Sequence, residues 1–123
     1  MILLKLFRGR LNRRNWALGL LSSIVLLFTV LIIIPTQNTN SFLPNLVFPI
    51  FMISILVFNI SLYVRRLHDI GKSGWFLLIL LLPLINIFGF FYLAFKNGED
   101  KDNMYGKKPL KEIRYPVQIL GRN

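Results

Sequence analysis

The sequence predicts an all-α integral membrane protein: a small bundle of three apolar segments, a basic N-terminal segment and a turn-rich C-terminal tail, in one domain over residues 1–123. Three observations predict it. Of 123 residues, 54% are hydrophobic and only 16% charged, whereas an ordinary soluble domain carries about 25% charge. Mean hydropathy is correspondingly high, at +0.58. The charges are crowded between and beyond three long stretches that almost lack them.

The first element is the basic segment, residues 1–15. Lys5, Arg8, Arg10, Arg13 and Arg14 alternate with Ile2, Leu3, Leu4, Leu6, Phe7 and Leu11. A segment with one cationic and one apolar edge suits the headgroup region, and it also orients the span that follows. Residues 16–34 form that span, 19 residues without a charge. At 1.5 Å per residue it reaches ~28 Å, close to the hydrocarbon thickness of about 30 Å. A cleaved signal peptide would have a shorter apolar core and a small-residue cleavage site. This stretch ends Ile32-Ile33-Ile34-Pro35.

Residues 35–45 read as an uncharged polar loop, with Pro35, Asn38, Asn40, Pro44 and Asn45 as turn formers. The second span is 46–64, with Pro49 expected in its first turn, where a missing N–H costs little. Asn59 and Ser61 are expected to face another helix. Residues 75–95 are the third apolar segment, interrupted by Pro83, Asn86 and Gly89. Two readings stay open: one kinked span, or a re-entrant hairpin broken at 83–89 that enters and leaves on one side. The tail, 96–123, is polar, basic and rich in turn residues.

Lys and Arg in short loops mark the cytoplasmic side. The N-terminal segment has five, the 65–74 loop has three, and the 35–45 loop has none. This puts the N-terminus and the 65–74 loop in the cytoplasm. The tail has seven, which a single third span would place outside and a hairpin inside. The count favours the hairpin.

The net charge of +10 points to lipid and topology, not nucleic acid, because the bases flank apolar spans instead of paving a polar face. There is no cysteine, hence no disulfide and no thiolate metal site. Glu99-Asp100-Lys101-Asp102-Asn103 invites a calcium reading, but the EF-hand spacing fails, with Tyr105 and Lys111 where Gly and Glu are required. No cofactor or metal is expected.

The densest chemistry lies in Arg65-Arg66-Leu67-His68-Asp69-Ile70-Gly71-Lys72-Ser73-Gly74-Trp75. If the second helix runs on through Asp69, Arg65 and Asp69 are i,i+4 neighbours. Gly71 suits a left-handed helix end, Lys72 the negative helix terminus, Ser73 a cap and Trp75 the interface. His68 and Asp69 would be an acid–base pair if this were an enzyme, but neighbours on a helix diverge by about 100° and no further nucleophile or base lies nearby. The reading adopted is a non-enzymatic cationic corner for anionic phospholipid headgroups or partner proteins, including self-association. Its residues are Arg10, Arg13, Arg65, Arg66, His68, Asp69, Lys72, Ser73 and Trp75. A small transporter or pore subunit is the alternative, suggested by Asn59, Pro83 and Asn86. A membrane enzyme using His68 and Asp69 is the second alternative.

Gly9-Arg10-Leu11-Asn12-Arg13 with Trp16, the Arg65–Trp75 run, Pro83 and Asn103-Met104-Tyr105-Gly106-Lys107-Lys108-Pro109 together resemble the DUF805 family. The resemblance implies a small bacterial inner-membrane protein and supplies no activity. One departure is the approach to the Asn103 motif. The family usually has Gly and Pro there, and this chain has Gly98-Glu99-Asp100-Lys101-Asp102.

Overall fold

A computed structural model describes residues 5–33 and 42–109. Among the described residues, the helices in chain order are α1 (Arg13–Ile33), α2 (Phe42–Asp69), α3 (Phe76–Leu80) and α4 (Pro83–Phe95). Among the described residues there is no strand, only an isolated antiparallel bridge between Asn103 and Gly106. The expected loop at 35–45 lies mostly outside the described residues, as do the apolar positions 2–4 and the tail beyond 109.

Helix α1 has 21 residues, about 32 Å at 1.5 Å per residue. It starts at Arg13 and not at Trp16, because Asn12 caps it: Asn15 N–H donates to Asn12 Oδ1 at 2.8 Å and Trp16 N–H to the Asn12 carbonyl at 3.0 Å. Helix α2 has 28 residues and contains Pro49 in its interior, not in its first turn as expected. Asn45, assigned to the loop by sequence, is already helical. Both helices are long and apolar enough to cross a membrane.

The two helices meet through a polar contact inside an apolar seam. Ser23 Oγ donates to Asn59 Oδ1 at 3.0 Å, and Asn59 Nδ2 donates to the Ile55 carbonyl at 2.9 Å. Asn59 thus faces a helix, as expected. Ser61 instead donates to the Leu6 carbonyl of the N-terminal segment.

Helix α2 ends at Asp69 with a Schellman closure. Lys72 N–H donates to the Leu67 carbonyl at 2.9 Å and Gly71 N–H to the His68 carbonyl at 3.2 Å. Gly71 has φ +74°, a left-handed conformation that glycine alone adopts without cost.

The third apolar segment is a hairpin. It breaks at Leu82, whose extended backbone (φ −72°, ψ 124°) is what a following proline demands. Pro83 then opens α4 from its first turn, so the break lies ahead of 83–89 and Asn86 and Gly89 are helical. The arms fold against each other at Gly89, where a Cβ would collide with a Leu80 methyl. Lys72 and Phe76 of the entering arm therefore share one groove with Tyr92 and Leu93 of the leaving arm. At 13 residues α4 extends only about 20 Å, well short of α1.

The core lies at one end. Trp16, 1% exposed, packs on Tyr63 and Phe90 with ring centroids 5.6 and 5.5 Å away, which joins α1, α2 and α4. Leu62, Leu67, Ile70 and Leu93 complete it.

Candidate functional site

The hairpin returns the chain to the end where α2 stops and α1 starts. Three segments distant in sequence meet there: the Gly9–Asn12 stretch, the α2 terminus and the tail after Phe95. Arg10 and Arg66 tie them together on a single carboxylate. Arg66 Nη1 donates to Asp69 Oδ2 at 2.6 Å, and Arg10 Nε donates to Asp69 Oδ1 at 3.2 Å. Both guanidinium side chains are fully buried.

The remaining donors go to main-chain carbonyls. Arg66 donates to Leu93 O at 2.9 Å and to Lys96 O at 2.5 Å. Arg10 donates to Glu99 O and to Lys101 O, each at 2.6 Å, and to Asp69 O at 3.4 Å. Two cations and one anion leave a buried excess of one positive charge. It is offset by the C-termini of α2 and α4, which converge here and carry roughly −0.5 charge each. The arginines thus cap two helix ends that would otherwise expose carbonyls.

The pairing differs from the i,i+4 expectation. Asp69 pairs with Arg66 at i,i+3 and with Arg10, not with Arg65. The Arg65 carbonyl instead accepts Leu11 N–H at 3.0 Å, and its Nε is buried without a hydrogen-bond partner among the described residues.

His68 lies beyond the apolar stretch 46–64, between the N-terminal segment and the tail. Its ring stacks on Tyr105 with centroids 4.0 Å apart and planes 3° from parallel. Its Nδ1 is 3.3 Å from the Gly9 carbonyl. A carbonyl only accepts, so Nδ1 carries the proton in the neutral ring. Burial pushes the imidazole below its ordinary value of 6.5, and the Gly9 hydrogen bond partly opposes this. Asn103 locks the tail in place by donating to the His68 carbonyl at 2.9 Å and to Glu99 Oε2 at 2.7 Å.

Of the residues singled out by sequence, Arg10, Arg66 and Asp69 are thus united, with His68 beside them. Lys72, Ser73 and Trp75 lie at the hairpin entrance. Lys72 Nζ is 5.4 Å from the Phe76 ring centroid, Ser73 Oγ accepts Trp75 N–H at 3.4 Å, and Trp75 is 78% exposed. Sequence reasoning missed Glu99, Asn103 and Tyr105, which belong to a tail read only as polar, basic and rich in turn residues. The Asn103 and Tyr105 motif was visible, but nothing in its spacing says that it docks on His68.

Arg13 belongs to a cavity of about 530 Å³ beside the triad. The start of α1 (Asn12, Arg13, Arg14), the end of α2 (Arg66, Asp69) and the tail (Asn97 to Asp100, Lys108, Pro109) form its walls. Its volume falls in the range of small-ligand sites, about 300–1,000 Å³. Asp69 is held by two arginines, and Asp100 pairs with Lys108 at 2.8 Å. Arg13 and Arg14 have no carboxylate within 4.0 Å among the described residues, so they are the cations this cavity offers. Among those residues no group of three or more His, Cys, Asp or Glu side chains gathers to hold a metal.

These features define an all-helical protein with two apolar helices of membrane-crossing length and a charged, hydrogen-bonded pole. The chain belongs to the family described as protein of unknown function (DUF805), whose model matches residues 5–107. No curated protein and no solved structure matches it.

Proposed function

We propose that this chain is a non-enzymatic, multi-pass protein of the bacterial inner membrane that holds anionic lipid headgroups at its basic pole. Helices α1 and α2 cross the bilayer, and the α3–α4 hairpin enters and leaves on the cytoplasmic side. The N-terminal segment, the 65–74 loop and the tail then share one face, in keeping with the distribution of Lys and Arg. A headgroup bound there also offers a platform for partner proteins or a second copy.

The cavity beside Arg10, Asp69 and Arg66 supports this reading most directly. It lies where α1 starts and α2 ends, and Arg13 and Arg14 in its wall have no carboxylate within 4.0 Å among the described residues. Juxtamembrane Lys and Arg attract anionic headgroups by about 1 kcal/mol each. Arg66 contributes charge to the wall but is committed to packing, so its replacement would confuse binding with folding.

Titration calorimetry with glycerophosphoglycerol, a headgroup without acyl chains, tests the proposal. Arg13→Gln/Arg14→Gln is expected to weaken binding roughly tenfold or more, as two such cations imply. Equal binding by the wild type and this variant would remove the cavity as the site. A reporter fused after Asn123 is expected to be active on the inner face, and activity only outside would overturn the hairpin topology.

A further inference from the structure

The α3–α4 hairpin carries a second site that the pole does not explain. Its arms leave a groove of about 180 Å³ between them. Phe76, Ile79 and Leu80 of α3, Tyr92 and Leu93 of α4, and Leu67 of α2 line it. It shares no lining residue with the polar cavity. Its volume is well below the about 300–1,000 Å³ of drug-sized ligand sites, which excludes a partner helix or a bulky cofactor. A stretch of one acyl chain is the apolar group that fits.

The mouth of the groove is cationic. Lys72 lines it and lies 5.4 Å from the Phe76 centroid. Lys96, at the end of the other arm, lies 6.0 Å from the Tyr92 centroid. Neither lysine has a carboxylate within 4.0 Å among the described residues. Both are exposed, and each sits over an aromatic ring that lines the groove. Apolar walls below two ammonium groups that lack a carboxylate among the described residues match one molecule: an amphiphile with an anionic head and a linear chain.

We infer that the hairpin binds one anionic phospholipid, its phosphate between Lys72 and Lys96 and part of one acyl chain between α3 and α4. The short arms make this possible, because they keep the mouth at the level of the pole while the groove points toward the hydrocarbon. The site rests on the membrane reading above and is independent of the headgroup cavity.

Native mass spectrometry of the full chain in mild detergent, with added phosphatidylglycerol or phosphatidylcholine, tests it. With the headgroup cavity silenced by Arg13→Gln/Arg14→Gln, the chain is expected to retain one phosphatidylglycerol, preferred over phosphatidylcholine roughly tenfold, the order expected of two such cations. Lys72→Gln/Lys96→Gln changes only surface groups and is expected to erase the preference. Ile79→Trp fills the groove and is expected to abolish retention of either lipid, with helicity by circular dichroism confirming its fold. Both groove variants are made in that same background. Retention without headgroup preference in that background, or unaltered retention in both groove variants, would overturn the site. Extraction of the chain from membranes by alkaline carbonate would instead overturn the membrane reading itself.

Discussion

The shafts of α1 and α2 and the pole at which they meet follow opposite rules. On the shafts large apolar side chains lie open: Ile32 is 70% exposed and Val25 59%. At the pole the charges are hidden: Arg66 is 0% exposed, Asp69 3% and Arg10 7%. A chain folding in water does the reverse, because removing apolar surface from water drives collapse. On the proposed membrane reading the shafts face an apolar surrounding, and the pole supplies its own polar one. Between helices in lipid the hydrophobic effect contributes little. What fixes the helices relative to one another must then be directional, and the directional bonds are concentrated at the pole.

Removing Asp69 is the strongest way to break this contrast. It leaves two buried guanidinium groups without a counter-charge, a change that costs about 3–5 kcal/mol in buried pairs. Asp69→Ala is expected to lose that much in reversible unfolding from mixed micelles. Ile32→Ala, on the shaft, is expected to stay within about 0.5 kcal/mol, as exposed positions do. Equal losses at the two sites would mean that the pole is no more decisive than the shafts.

The hairpin comes next. Gly89→Leu puts a side chain where Leu80 already lies, and overpacking of this kind costs about 1–3 kcal/mol. Separation of the arms would also move the α4 carbonyls away from Arg66. The expected result is lower stability together with faster proteolysis of the tail after Phe95. A loss of stability with the tail still fully protected would show that hairpin and pole are not coupled.

These effects indicate which parts of the molecule the sequence could announce. The end of α2 was legible because its signals are local: a polar run after an apolar one, then Gly71 at the left-handed position. The break in the third apolar segment was legible through Pro83, which interrupts an otherwise apolar run. The Arg10–Asp69 pair was not legible, because 59 residues separate its partners and no short-range rule links them. Helical spacing pointed to Arg65 as the partner of Asp69, but the returning tail decided otherwise. Arg66 faces the carbonyls of Leu93 and Lys96, so the buried guanidinium is the one that meets the α4 terminus. Tyr105 was invisible as a partner of His68 for the same reason.

Within the shafts, the Ser23–Asn59 hydrogen bond is the one polar tie between α1 and α2 described above, and it makes a finer test. Interhelical bonds of this kind average about 0.6 kcal/mol in lipid. Ser23→Ala is expected to cost about that much in the same unfolding assay. A loss comparable to that of Asp69→Ala would move the organising centre from the pole into the shafts.

The smallest expected effect concerns pH and the His68–Tyr105 stack. The docked imidazole has its pKa lowered from 6.5, first by burial, so docking favours the neutral ring. A lowered value in the folded state means that this state binds fewer protons than the undocked one. The contribution is then fully present above about 6.5 and is lost as pH falls below that toward the lowered folded value. The Asn103 and Gly106 amides, which bond to each other's carbonyls at 3.2 and 3.0 Å, report on the docked tail. Their hydrogen-exchange protection is expected to decline on acidification, while amides within α1 keep theirs. His68→Phe retains an aromatic ring over Tyr105 but has no proton to gain, so its tail protection is expected to be flat across the same range. A decline of equal size in that variant would separate the pH response from the imidazole and leave His68 as a packing residue of the pole.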